Sequence, residues 1–194
     1  MKKLMLFVLL TALMPWAAFA QSYDELWKKI DEAAEKDLPR TQIELLEKLA
    51  NKATKGKDYG QLLPALLMKA GLQWQIAPDS LEVETERLKA GAADAEKKDP
   101  VFAAVYNAVL GKVAKIRRGT LESSSVYFDK ALARPELLAK EKTSRYKPLI
   151  STQADSRIFN DDLLHVIGME AGRFREMQQY YDRAGNRSAA CLAA

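Results

Sequence analysis

The sequence has very few residues suited to metal binding or covalent chemistry. Its 194 residues include one histidine, His165, and one cysteine, Cys191. One residue of each type excludes most metal sites, a disulfide within the chain, and more than one histidine-assisted nucleophile. We therefore expect no metal and no cofactor.

Long apolar runs are also missing. The one extended run, at residues 4–13, is too short to cross a bilayer of about 30 Å, which takes about 20 apolar residues. It follows two lysines and precedes a small-x-small triplet that ends at Ala20, which is the layout of a secretory signal peptide. We predict that residues 1–20 are a signal peptide cleaved between Ala20 and Gln21. The mature chain is then exported, periplasmic or associated with the cell envelope, and has no transmembrane segment.

Charge of one sign is not in large excess. Without the two lysines of residues 1–20, 28 basic residues face 26 acidic ones, so nucleic acid is not an expected partner. Basic residues nevertheless concentrate between residues 112 and 147, where they predict a patch for an acidic protein or the envelope surface. Solvated helix faces are the alternative interpretation. The patch consists of Lys112, Lys115, Arg117, Arg118, Arg134, Lys140, Lys142, Arg145 and Lys147.

Apolar residues recur at helical spacing along nearly the whole chain, and alternating strand-like runs are almost absent. Leu26, Trp27 and Ile30 form the stripe of a first helix, which Ser22 and Glu25 begin with a capping box. A Thr41–Glu44 capping box predicts a second helix that stops at Gly56. Further helices are predicted at about 61–75 and, after cap signals at 78–80, at 81–98. The next helix is predicted to begin at Pro100, and another covers about 121–133.

The predicted helices repeat. First helices of successive pairs start near residues 23, 60 and 100, which is a spacing of about 40 residues typical of helical-hairpin solenoids. Gly111 and Phe128 occupy positions of the tetratricopeptide consensus in the third pair. The predicted fold class is therefore all-α, with tandem antiparallel helical hairpins in a tetratricopeptide-like right-handed array.

Beyond Pro135 the pattern weakens into a long connection with a short helix at about 136–146. Two more helices follow, at 161–170 with Asn160 as the cap and at 172–184. Residues 187–194 then form the opening turns of a helix that nothing closes. Residues 21–194 are thus expected to form one helical-hairpin domain, the front of a longer multidomain protein.

Residues that could carry catalysis have simpler explanations. His165 lies among Leu163 and Leu164 on an apolar helix, where a buried structural histidine is expected. Asp161 and Asp162 could act as an acid–base pair, but two carboxylates at a helix start complement its dipole. The sequence has no Gly-x-Ser-x-Gly motif. We predict no enzyme and no catalytic residue, and we expect Cys191 to be buried.

Four stretches, taken in order along the chain, resemble the amino-terminal helical region of the large alpha-2-macroglobulin-like proteins that Bacteroidetes export. They are residues 22–29 (SYDELWKK), 36–41 (KDLPRT), 155–164 (DSRIFNDDLL) and 184–191 (AGNRSAAC). The resemblance implies a protease-trapping or envelope-defence protein in which this helical region precedes many β-sandwich domains. It also implies a Cys-x-x-Gln thioester far downstream. Cys191 is followed by no glutamine, so it is not that thioester.

The predicted function is therefore a non-catalytic scaffold or docking module of an alpha-2-macroglobulin-like protein. Its partner is another protein or the downstream domains of the same polypeptide. The alternative is a stand-alone periplasmic tetratricopeptide-like adaptor that binds a peptide or an envelope component.

Overall fold

A computed structural model describes residues 22–117, 124–143 and 157–194, and these residues form an all-α fold. The only β pairing among them is an isolated antiparallel bridge between Lys142 and Asp162. The ten described helices are α1 (Tyr23–Glu35), α2 (Pro39–Gly56), α3 (Tyr59–Ile76), α4 (Pro78–Lys98), α5 (Pro100–Arg117), α6 (Ser124–Ala131), α7 (Pro135–Leu138), α8 (Leu163–Ala171), α9 (Phe174–Arg183) and α10 (Arg187–Leu192). The predicted signal peptide, with Ala20 and Gln21, lies outside the described residues.

Helix α1 begins as the sequence predicts. The Ser22 side chain accepts a hydrogen bond from the Glu25 amide at 3.1 Å, and the Glu25 carboxylate accepts one from the Ser22 amide at 3.1 Å. The capping box is therefore confirmed. Its apolar stripe is buried, and the Trp27 indole N–H donates to the Gln61 side-chain oxygen at 2.6 Å, which joins α1 to α3.

Proline occupies the first position of four helices: Pro39 in α2, Pro78 in α4, Pro100 in α5 and Pro135 in α7. Proline suits this position because it lacks an N–H that the helix could not use there and because its φ is already helical. The predicted start at Pro100 is confirmed.

Two predicted helix starts are wrong for the same reason. Helix α2 begins at Pro39, so Thr41 lies inside its first turn, and the capping residue is Leu38, which makes no side-chain cap hydrogen bond. The Thr41–Glu44 capping box is therefore absent. Helix α4 likewise begins at Pro78, and residues 78–80 are its first turn rather than the segment before it.

Connectors of one to three residues join α1 to α5, which forces successive helices to fold back on each other. From α1 to α6, each helix packs against the next one in the chain, so that consecutive helices form antiparallel hairpins. Helix α3 also packs against α5. Where α6 crosses α5, a Cβ on Gly111 would lie within 3 Å of the Phe128 ring. The two consensus positions thus meet, and glycine is needed there for the approach of the ring.

The connector between α4 and α5 is one residue, Asp99. One carboxylate oxygen accepts from the Phe102 amide at 3.1 Å, and so caps α5. The other accepts from the Tyr59 hydroxyl at 2.7 Å and lies 3.0 Å from the Lys57 ammonium. Asp99 therefore holds the start of α3 against the start of α5.

The predicted helix at about 136–146 is much shorter, since α7 ends at Leu138. The backbone that follows pairs elsewhere: Thr143 donates to the Asp161 carbonyl at 2.7 Å, and Leu163 donates to the Glu141 carbonyl at 3.0 Å. The Lys142 carbonyl rests on α3, only 2.4 Å from where a Cβ on Gly60 would be.

Helix α8 starts later than predicted, and its cap is Asp162 instead of Asn160. The Asp162 carboxylate accepts from the His165 amide at 2.8 Å, whereas Asn160 and Asp161 both have positive φ and lie in the turn before the helix. Helix α8 packs against α5, α6 and α7, and α9 packs against α8 and α10.

The end of the chain is helical, as predicted, but Cys191 is exposed rather than buried. Asn186 caps α10 by accepting from the Ala189 amide at 3.1 Å. This orientation turns Ala189, Ala190 and Ala193 inward and leaves Cys191 and Leu192 in solvent. The short helix α10 gives only one face to α9, and the alanines occupy it.

We expect Leu46→Ala to lower the free energy of unfolding by about 2–5 kcal/mol, because Leu46 is fully buried in α2 and the change leaves a cavity. Val83→Ala is the control, since Val83 is 74% exposed on α4 and the change should cost less than about 0.5 kcal/mol. Urea unfolding followed by circular dichroism measures both. A cost below about 0.5 kcal/mol for Leu46→Ala would contradict the packing.

Candidate functional site

The predicted basic patch begins on α5 with residues that have acidic partners. The Lys112 ammonium is 2.7 Å from the Glu170 carboxylate, and Lys115 donates to the Glu170 carbonyl at 3.1 Å. Glu170 is 5% exposed, so these lysines neutralise a buried carboxylate at the end of α8. Arg117 pairs with Glu82 of α4.

The other described members of the patch lie toward the opposite end of α5. Arg134 borders a depression together with Pro100, and Lys142 rests on the first turn of α3. At 1.5 Å per residue, Pro100 and Lys115 are about 20 Å apart along α5. The structure therefore divides the predicted patch into two groups. Three further members, Arg118, Arg145 and Lys147, lie outside the described residues, and Lys140 is exposed after α7.

A groove crosses α4, α5 and α6 and consists of two adjoining depressions of about 190 and 220 Å³. Glu96 of α4, Asn107 of α5 and Lys130 of α6 line both depressions, so the two depressions meet along these three residues. We call it the α4–α6 groove. Its lining residues are Lys89, Ala92, Ala93, Glu96, Pro100, Ala103, Ala104, Asn107, Leu110, Tyr127, Lys130, Ala131, Ala133, Arg134, Leu137 and Leu138.

The groove has an apolar floor and a charged rim. Four alanines, Ala92, Ala103, Ala104 and Ala131, are at most 8% exposed and form much of the floor, together with the buried side chains of Leu110, Tyr127 and Leu138. Above the alanines, the backbone of a bound segment can approach closely.

Asn107 lies in the middle of the groove and has a spare acceptor. Its side-chain amide donates to the Ala103 carbonyl at 2.9 Å, and its side-chain oxygen has no hydrogen-bond partner in the described parts of the chain. An amide oxygen can accept two hydrogen bonds. Asn107 was not predicted as a site residue, although a polar residue amid the valines and alanines of α5 was a visible signal.

Comparisons with known proteins do not identify the chain. No family model matches it, and no match is found among curated proteins or solved structures. The resemblance to alpha-2-macroglobulin-like proteins therefore stays a prediction.

A third depression, of about 280 Å³, lies between α6 and α9. Arg173 pairs with Asp129 and lies 3.7 Å from Glu176, whereas Arg183 donates to the Gln179 carbonyl at 3.0 Å. Its lining has two arginines and two carboxylates, whereas the lining of the α4–α6 groove has three basic residues and one acidic residue.

The predicted catalytic candidates form a buried polar cluster. The Asp162 carboxylate, 1% exposed, accepts from the Tyr181 hydroxyl at 2.7 Å as well as from the His165 amide. The His165 ring stacks on Phe159 with centroids 4.0 Å apart. His165 is thus a buried histidine in the core, as the sequence predicts. Across 22–117, 124–143 and 157–194, no group of three or more His, Cys, Asp or Glu residues could hold a metal ion.

Burial controls the protonation of this cluster. Desolvation raises the pKa of Asp162 to about 6, and its hydrogen bonds and the nearby Lys142 ammonium oppose the rise only in part. Desolvation and the Asp162 carboxylate also raise the pKa of Tyr181. Asp162 therefore changes charge just below neutral pH.

We expect the free energy of unfolding to fall as pH rises from about 4 to about 6, because of the raised pKa of Asp162. The ordinary pKa of aspartate is 3.8, so in this window the folded state binds the proton that the unfolded state has lost. Asp162→Asn keeps a neutral capping side chain and removes the titration. As pH rises between those values, the free energy of unfolding of the wild type should therefore fall by up to about 3 kcal/mol relative to that of Asp162→Asn. Urea unfolding at several pH values tests this, and parallel curves would contradict it.

Proposed function

We propose that this chain is a non-catalytic helical docking module whose α4–α6 groove holds a short extended segment of a partner protein. The observation that carries the proposal is that two depressions adjoin across three helices and share three polar residues. Glu96, Asn107 and Lys130 give the groove polar groups from each wall and from the base. Small floor residues and hydrogen-bonding groups at the base suit a peptide backbone.

The setting that we propose is an exported alpha-2-macroglobulin-like protein of the cell envelope, in which the module docks a protein partner or the downstream domains of the same polypeptide. The four stretches that resemble that family support this setting. The alternative is a stand-alone periplasmic adaptor with the same groove. A reading frame that continues beyond Ala194 into β-rich sequence would favour the first, and a stop codon there would favour the second.

No described helix has the length and apolar character needed to span a membrane.

Ala93→Trp should block docking. Ala93 is exposed and lines the groove, so an indole there fills the depression without entering the core. Heptapeptides selected from a random displayed library on the wild-type protein should bind Ala93→Trp at least about tenfold more weakly, by fluorescence anisotropy. Ala90→Trp is the matched control, since Ala90 is an exposed α4 alanine that does not line the groove.

Circular dichroism must show that both tryptophan variants keep their helices. If every selected peptide binds Ala93→Trp as tightly as the wild type, the groove is not the docking site and the proposed function is wrong.

A further inference from the structure

Among the residues that the structure describes, the rim of the α4–α6 groove has more basic than acidic side chains. Lys130 on α6 and Arg134 at the start of α7 form no ion pair with any residue that the structure describes. Lys89, at the far end, lies 3.2 Å from Glu86 and is partly neutralised. Glu96 is the acidic residue of the lining. The end of the groove near Arg134 is therefore its most positive part.

The size of the groove limits what side chains it accepts. Each depression, about 190 or 220 Å³, is smaller than the roughly 300–1,000 Å³ of pockets that hold a drug-sized ligand. Along α5 the groove runs from Pro100 to Leu110, which is about 15 Å at 1.5 Å per residue. An extended chain advances about 3.3 Å per residue, so four or five residues fit.

We infer that the occupant of the groove is an extended peptide segment with small side chains toward the floor and at least one Asp or Glu that pairs with Lys130 and Arg134. The Asn107 side-chain oxygen accepts a backbone N–H of this segment. The inference rests on the proposed docking function and adds the chemistry of the partner.

An anionic lipid headgroup would fit the observations less well. Its phosphate would satisfy Lys130 and Arg134, but depressions of about 190 and 220 Å³ are too small for acyl chains, so a lipid would make no use of the apolar floor. A peptide satisfies the charge, the acceptor and the alanine floor together.

The test reverses the charge of the rim. Random heptapeptides displayed on phage are selected on the wild type, on the Lys130→Glu/Arg134→Glu variant, and on Lys48→Glu/Lys55→Glu. The last pair is the matched control, because both lysines are exposed on α2, which contributes no residue to the groove lining. We expect Asp and Glu to be enriched on the wild type and on the control, and Lys and Arg on the rim variant.

Synthetic copies of the enriched acidic peptides should bind the rim variant at least about tenfold more weakly than the wild type. Their binding to the wild type should also weaken as salt is raised, because the rim charges are exposed to screening.

Two outcomes would overturn the inference and leave the docking function in place. One is a set of peptides that Ala93→Trp blocks but that are neutral or basic. The other is a set of acidic peptides that bind the rim variant as tightly as the wild type. If phosphatidylglycerol vesicles bind the wild type and not the rim variant while no acidic peptide is selected, the ligand is a lipid, and both proposals are wrong.

Discussion

The arrangement of the helical array depends on the carboxylate of Asp99. This one residue is the entire connector between α4 and α5, caps α5 through the Phe102 amide, and receives the Tyr59 hydroxyl of α3. Burial alone would raise its pKa, but the hydrogen bonds from Tyr59, Lys57 and Phe102 outweigh burial and hold the pKa below its usual value. The charged form is thus the stable one. Because α4 must turn into α5 within one residue, the two helices meet at a fixed angle, and the walls of the α4–α6 groove follow.

The carboxyl-terminal helices are organised around a second carboxylate with the opposite electrostatics. Asp162 also caps a helix and also receives a tyrosine hydroxyl, but it lies deeper and has no direct ion pair among the described residues. Its pKa is raised where that of Asp99 is lowered. The difference lies in the Lys57 ammonium, 3.0 Å from Asp99, and in the depth of burial. A charged carboxylate, that of Asp99, therefore stabilises the helical array. A carboxylate with a pKa of about 6, that of Asp162, stabilises the last three helices.

Local chemistry in the sequence was enough to predict the fold class, the Ser22–Glu25 capping box and the start at Pro100. Prediction went wrong where two local signals competed. The Thr41–Glu44 pattern predicted the wrong start for α2, because Pro39 occupies the first helical position and sets where the helix begins. Asn160 and Asp162 are equally good caps by type, and the pairing of the backbone around Lys142 decided between them. Cys191 faces solvent because a helix of six residues has one buried face, which the alanines fill.

The candidate site could not be predicted in the same way, because it joins residues from four segments. Lys112 and Arg134 are close in sequence, yet the length of α5 separates their environments. Asn107 and Lys130 lie on different helices, and both line the groove. Charge density along the sequence does not include the Glu170 and Glu82 partners, which the fold brings to Lys112 and Arg117.

The contact of the Lys142 carbonyl with Gly60 has a consequence for the order of folding. These residues are 82 positions apart in the chain, whereas the contacts between neighbouring helices of the array are local. Closing so long a loop costs more chain entropy than forming a hairpin. We therefore expect the hairpins from α1 to α5 to form first and the docking of the segment around Lys142 to come late. The contact at Gly60 would then form only after the hairpins have folded, and would dock the carboxyl-terminal part of the chain against them.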